Sequence, residues 1–189
     1  MSGPRILGEE VGFSGWNKLL LVSARTARGT ALRRSVEHHG DAAAVLPYDA
    51  ARRVALMVRQ LRVPLLWAHG LPDSLEVPAG VLDADEPADC ARREAMEEAG
   101  VSLGPLTYLY PVYPMPGIST ECMHLFLAPY SASDRTQDGG GVDHENEEIE
   151  VVEVALSTLW SQLETGDLRD AKTVMLLQAL RLREPDLFA

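Results

Sequence analysis

The residues best equipped for chemistry lie in one stretch, GVLDADEPADCARREAMEEAGV, from Gly80 to Val101. Within it Glu94, Glu97 and Glu98 fall at i, i+3 and i+4, so on a helix all three project from one face. Like charges at this spacing cost a helix roughly 0.2–0.5 kcal/mol per pair. Arg93, four residues before Glu97, can pair with it and offset part of that cost. An acidic run on a helix is most often a solvated face. Two features here argue for more. The helix is otherwise rich in alanine and reads as packed, and a glycine turn directly precedes it, bringing backbone carbonyls toward the same face. Carboxylates together with a carbonyl oxygen are the hard ligands that suit Mg²⁺.

The elements that must position these groups follow from local signals. Pro87 suits the first helical turn, where its missing N–H is no loss, and Gly100 suits the cap after the last turn, so the helix is predicted over 87–99. Ala88, Ala91, Ala95 and Ala99 recur at spacings of three and four, a small-residue stripe that lets the helix lie close on a sheet. Leu75 to Gly80 reads as a short strand running into the glycine turn. Lys18 to Arg25 and Thr30 to His38 read as a hairpin turning at Thr26–Gly29, and Asp41 to Tyr48 and Arg53 to Arg59 as a second strand pair. Further strands are predicted over 106–112, 121–130 and 149–156, and helices over 157–164 and 170–183. The polar stretch SASDRTQDGGGVDHEN, 131–146, carries three consecutive glycines and the widest backbone freedom in the chain, and loops of that length are often functional.

The acidic stretch resembles the Nudix box, which reads G, five residues, E, seven residues, then R-E-U-x-E-E-x-G-U with U a bulky apolar residue. Gly80, Glu86 and the run Arg93-Glu94-Ala95-Met96-Glu97-Glu98-Ala99-Gly100-Val101 match it. The chain departs twice: six residues, not seven, separate Glu86 from Arg93, and Ala95 is small. Neither changes the register from Arg93 onward. The surrounding EVPAGVLD is similar to the ADP-ribose and nucleotide-sugar pyrophosphatase group. The shortened box, Arg59-Gln60-Leu61-Arg62, 121–130, Gly139 to Val142 and 165–173 look like its GDP-mannose hydrolase branch.

That resemblance implies an α/β Nudix fold, a mixed β-sheet sandwiched between helices, with an N-terminal β-hairpin subdomain over 1–40 for dimerisation and substrate contacts and the hydrolase domain over 41–189. It implies a metal site with the Ala79 carbonyl, Glu94, Glu98 and Glu147 as ligands of Mg²⁺, for which Mn²⁺ can substitute. Glu97 would be a further ligand or would hold the ligands in place, and Arg93 would orient the glutamates. Glu145 would be the general base, with its assignment against Glu147 left open by a slip of one or two residues in that loop. Arg62 would contact the diphosphate, Gly80 would lie against the substrate, and Trp16, Arg33 and Arg34 would contact nucleotide or sugar. Adjacent strand residues face opposite ways, so only one of Arg33 and Arg34 can enter a cleft. Trp16 reads equally well as a core or interface residue. The implied reaction is Mg²⁺-dependent hydrolysis of a nucleoside diphosphate sugar of the GDP-mannose type, giving a nucleoside monophosphate and a sugar 1-phosphate. The alternatives are ADP-ribose as substrate, or a sensor with this fold that binds a nucleotide sugar without cutting it. The intact carboxylate cluster weighs against the sensor. The implied assembly is a homodimer.

Composition narrows the remaining classes. The 189 residues fit one domain or one with a small appendage, and 46% apolar content allows a sizeable core. With 28 acidic against 17 basic residues, net −11, the chain is poorly suited to holding a nucleic-acid backbone. No apolar run approaches a membrane span, and MSGPRILGEEVG has no apolar signal-like core, so a cytoplasmic enzyme with reduced Cys90 and Cys122 is expected. His38, His39, His69, His124 and His144 show no metal-ligand spacing and read as surface or core residues.

Overall fold

The computed structural model describes residues 3–142 and 148–189. The chain begins with a three-stranded antiparallel sheet in the order β1 (Arg5–Ser14), β2 (Lys18–Arg25), β3 (Ala31–His38). Sequence reading gives only β2 and β3. The first strand is hidden because Gly8, Gly12 and the pair Glu9-Glu10 break the alternation of apolar side chains, and its pairing with β2 slips between Ile6 and Gly8 and between Val11 and Phe13.

The second sheet is mixed. It contains β4 (Ala42–Asp49), β5 (Val54–Gln60), β6 (Ser74–Glu76), β7 (Ala79–Val81), β8 (Thr107–Val112), β9 (Met123–Pro129) and β10 (Ile149–Ala155). Its main path runs β10-β5-β4-β9-β8, with β6 on β5 and β7 on β4. Among its described strands only β4 and β9 pair in parallel. The central β4 is covered on both faces, which explains its near-continuous apolar run AAAVLPY. The predicted single strand over 75–80 is in fact two. Pro78 interrupts it and offers its carbonyl to the Val45 N–H at 3.0 Å.

Helix α1 (Val63–His69) was not anticipated: seven residues are too few for a readable periodicity, and none is buried. Helix α2 (Pro87–Ala99) covers one face of the mixed sheet, through Ala91, Ala95 and Ala99 against Ala43, Val45, Leu56 and Val58. Helices α3 (Leu156–Thr165) and α4 (Ala171–Arg183) cover the other, through Leu159, Leu176, Leu177 and Leu180 against Leu46, Met57 and Leu125. The small Ala95 is fully buried in the alanine stripe, so the departure from a bulky residue is matched by a close helix–sheet approach. The two sheets meet at β3, where the Glu37 N–H donates to the Ile118 carbonyl at 2.8 Å and the Thr120 N–H to the Glu37 carbonyl at 3.1 Å.

Candidate active site

The register of β7 decides which of its backbone groups are available. The Val45 N–H donates to Pro78 O, Ala43 lies opposite Gly80, and the Leu82 N–H donates to Asp41 O. These are the hydrogen-bonded pairs of the ladder, so the intervening Ala79 and Val81 turn their backbone groups away from β4. The Ala79 N–H there meets Glu98 Oε2 at 3.0 Å, and the Ala79 carbonyl leaves the strand on the same side. Val81 O accepts Arg93 Nη2 at 3.1 Å.

Glu98 is 2% exposed and Glu94 9%. Glu94 lies directly over Gly80, the position in β7 with no side chain to block it. Arg93 ties the face together: Nη1 donates to Glu94 Oε1 at 2.7 Å and to Glu97 Oε2 at 3.2 Å, and Nε to Asp85 Oδ2 at 3.0 Å. Burial acts against its charge, but Asp85, Glu94 and Glu97 outweigh that and hold the guanidinium more firmly protonated than usual. Asp85 was missed by sequence reading. It sits in the shortened segment of the box, where the Asp85 N–H closes a turn on Leu82 O at 2.7 Å and Asp83 takes a left-handed φ of 49°.

The glycines at 139–141 are tied down rather than slack. The Gly140 and Gly141 N–H groups donate to the Glu98 and Glu97 carbonyls at 2.9 and 3.1 Å, capping the end of α2. Glu145 and Glu147, assigned as base and ligand, lie outside the described residues.

Across the cleft stands a cationic wall. Arg62 donates from Nε and Nη2 to Glu76 at 2.9 and 2.8 Å, and Lys172 Nζ donates to Glu76 Oε2 and to Asp170 Oδ1. Asp170 caps α4 by accepting the Thr173 N–H, and Thr173 Oγ1 accepts the Val77 N–H, which locks α4 to the strand segment leading into β7. Glu76 is 3% exposed. Burial alone raises a carboxyl pKa, but Arg62 and Lys172 override it and bring Glu76 down to about 2.

The third wall comes from the joint between the sheets. Trp16 stacks on His39, ring centroids 5.3 Å apart at 18°. Glu37 accepts from Asn17 and Ser119 and pairs with His39 Nδ1 at 2.8 Å, while Glu121 lies 3.9 Å from His39 Nε2. The three walls enclose a cavity of about 740 Å³ lined by Trp16, His39, Arg62, Gly80, Arg93, Glu94, Glu121 and Lys172 among others. The structure therefore brings together Trp16, Arg62, Ala79, Gly80, Arg93 and Glu94 from the sequence assignment, with Glu98 behind Ala79 and Glu97 beside Arg93. It does not bring in Arg33 or Arg34. Arg33 pairs with Glu10 at 2.7 Å and Arg34 donates to the Arg33 carbonyl, both on the exposed N-terminal sheet. His39, read as a surface or core residue, is instead a cleft residue. Glu76 and Lys172 were not singled out, because no local pattern shows that their segments meet.

The donors present fit a hard divalent ion. Among the described residues no three Asp, Glu, His or Cys side chains gather on one point. At the edge of β7 the cleft is lined by Glu94 and Ala79, with Glu98 directly behind on the Ala79 N–H. An ion that keeps several waters and takes one or two carboxylates suits that set.

No helix among the described residues is long and apolar enough to cross a membrane. The NUDIX domain pattern matches residues 38–177. The GDP-mannose pyrophosphatase of Cronobacter sakazakii is 44% identical over 153 residues, 80% of this chain and 78% of that protein. Those of Escherichia coli O1:K1 and Salmonella paratyphi B are 41% and 42% identical, each over 79% of this chain and 78% of theirs. A solved structure described as an ADP compounds hydrolase has the same fold, with a TM-score of 0.77 at 20% identity, covering 98% of this chain and 96% of its own. The box residues that meet at the rim of the cleft, the fold that presents them and these relatives agree: the chain belongs to the Nudix family of pyrophosphate hydrolases, whose members use a divalent metal.

Proposed function

We propose that this protein hydrolyses the pyrophosphate bond of a nucleoside diphosphate sugar, GDP-mannose foremost, with Mg²⁺ as its metal. The observation that carries the reading is the opposition, across one cavity, of the Glu94–Glu98–Ala79 oxygen set and the Arg62–Lys172 pair. Such a cleft accepts a diphosphate that brings a cation with it. The relatives named GDP-mannose pyrophosphatase supply the substrate.

When bound, the ion would neutralise diphosphate oxygens and stabilise the charge that develops on attack. The rest is done by the chain. Arg62 and Lys172, anchored on Glu76, hold the diphosphate from the far side. Arg93 keeps Glu94 and Glu97 in place. Glu145 takes the proton from the attacking water, with Glu147 as a further metal ligand. Trp16, 82% exposed at the mouth, offers its ring to the base. The exposed Ile6, Leu7, Val11 and Phe13 of the N-terminal sheet support a homodimer through that face, which would carry Arg33 and Arg34 toward the partner's substrate. A cytoplasmic location fits this metabolite chemistry.

The test is a phosphate-release assay with GDP-mannose, ADP-ribose, UDP-glucose and NADH in Mg²⁺, with a phosphatase added to expose monoester products. Preference for GDP-mannose supports the reading. Preference for ADP-ribose replaces the substrate while keeping the chemistry. Binding of the panel without turnover would replace the enzyme with a sensor.

A further inference from the structure

Trp16 reaches the cleft from the N-terminal sheet, and that sheet is tied to the rest of the chain at one joint. Among the described residues, the hydrogen bonds between 3–38 and 41–189 all join Glu37 and His38 to Ile118, Ser119 and Thr120. The Glu37 N–H and carbonyl hold Ile118 and Thr120, and His38 Nδ1 meets Thr120 Oγ1 at 2.7 Å. These bonds fix β3 against the loop before β9. They do not by themselves place the turn between β1 and β2, which carries Trp16.

The Glu37 side chain supplies that link. It is 19% exposed, and its two oxygens gather donors from three side chains. Ser119 Oγ donates to Oε2 at 2.8 Å from the core side. Asn17 Nδ2 donates to Oε1 at 3.1 Å from the β1–β2 turn, and His39 Nδ1 meets the same oxygen at 2.8 Å. An ionised carboxyl only accepts, so Nδ1 carries the proton and the bond orients the imidazole. Burial acts against the Glu37 charge, but the hydrogen bonds from Ser119, His39 and Asn17 outweigh it and hold the carboxyl below its ordinary range. The joint itself is made by Ser119 and the two backbone bonds. Asn17 and His39 lead instead to Trp16: one follows it in the chain, and the other stacks on its ring, centroids 5.3 Å apart at 18°.

Trp16 is 82% exposed, so its plane is set by few contacts. One face of the indole rests on His39, which leaves the other for a ligand in the cavity. Stacking needs two ring planes close together at a defined offset, and an exposed ring binds best when its plane is fixed in advance. The geometry points to Glu37 as a positioning residue: through Asn17 and His39 its carboxylate holds the Trp16 ring in the plane that receives the base of the substrate. This rests on the nucleoside diphosphate sugar reading above, in which Trp16 offers its ring to the base.

The test is a double-mutant cycle. Steady-state kinetics on GDP-mannose would be taken for the wild type, Trp16→Ala, Glu37→Ala and the double variant, with thermal melts to follow folding. Trp16→Ala is expected to raise KM by about tenfold or more with little change in kcat, the scale of one lost base stack. Glu37→Ala should give a smaller rise of the same kind, and the double variant no more than Trp16→Ala alone. A Glu37 that only joined the sheets would act whether or not Trp16 is present. Losses that multiply in the double variant therefore overturn the inference, and so does an unchanged KM in either single variant. If Glu37→Ala does not fold, Asn17→Ala, alone and with Trp16→Ala, reads the same cycle while Ser119 and His39 stay on the carboxylate. Should the wild type not turn over GDP-mannose, the hydrolase reading fails by itself, and equilibrium affinities of the same variants for GDP-mannose and ADP-ribose still decide the role of Glu37.

Discussion

A methyl group placed on Gly80 would lie 2.0 Å from Glu94 Oε1 and 2.2 Å from its Cδ. The glycine of the box is thus the space that Glu94 occupies. Because the obstructing atoms belong to a side chain, Gly80→Ala can fold by pushing the carboxylate aside. The fold then survives while Glu94, the proposed metal ligand, is displaced. Turnover is expected to fall by about a hundredfold, the scale of a 1 Å misplacement, with little change in Tm. Kinetics and a thermal melt on one preparation check this. Unchanged activity would mean that Glu94 does not act from its present position.

Glu98 has two jobs that one substitution can separate. Its Oε2 accepts the Ala79 N–H at 3.0 Å, and its charge faces the same edge of β7. Glu98→Gln keeps an acceptor for Ala79 and removes the charge. It should fold normally and lose more than about a hundredfold in kcat, beyond the tenfold to hundredfold typical of groups that only orient ligands. Mn²⁺ titration followed by paramagnetic resonance should show weakened binding. Wild-type metal affinity in Glu98→Gln would sink the ligand assignment.

The Arg62–Glu76–Lys172 cluster makes stability depend on acidity. The Glu76 carboxyl falls from 4.5 to about 2 on folding. A lowered carboxyl pKa contributes stability that is fully present above the unfolded value and is lost as pH falls through the folded one, here between about 4.5 and 2. The contribution at neutral pH is on the order of 3 kcal/mol. Glu76→Gln removes it and leaves two cations facing an amide, so denaturant melts at pH 7 should show a loss of roughly 3–5 kcal/mol. The same variant should lose less stability than the wild type between pH 5 and 3. Parallel acid limbs for the two proteins would show that the cluster is not the source.

How much of this was legible in the sequence depends on how far apart the partners are along the chain. Helix α2 could be read almost to the residue, because Pro87, the alanine stripe and Gly100 are local signals and Gly100 does take the left-handed cap, φ 66°. Arg93 and its glutamates could be read because their spacing lies on one helical face. The cationic wall could not. Glu76 and Lys172 are 96 residues apart, and only the pairing of β6 and the docking of α4 bring them together. His39 was set aside because metal-ligand spacing was the criterion, whereas its place in the cleft comes from Trp16 and Glu37. The run at 139–141 shows the opposite error. Glycine there reads as freedom, yet a Cβ on Gly139 would lie 2.6 Å from the Glu98 carbonyl oxygen, so the residue is small because two backbones touch.

That contact bears on the proton acceptor. Gly140 and Gly141 hold the carbonyls of Glu98 and Glu97, and Ile149 pairs with Gln60 at the start of β10. In sequence Glu145 and Glu147 fall between these two anchored points, one of them on the turn of α2 that carries Glu97 and Glu98. If Glu145 is the base and Glu147 a ligand, the two glutamine variants should fail differently. Glu145→Gln should lose about a hundredfold or more in kcat, keep its Mn²⁺ affinity and lose the acid limb of its pH–rate profile. Glu147→Gln should need more metal for half-maximal rate and keep that limb. The reverse pattern would exchange the two roles without disturbing the rest of the site. Full activity in both variants would place the base elsewhere, with Glu97 as the next carboxylate to test.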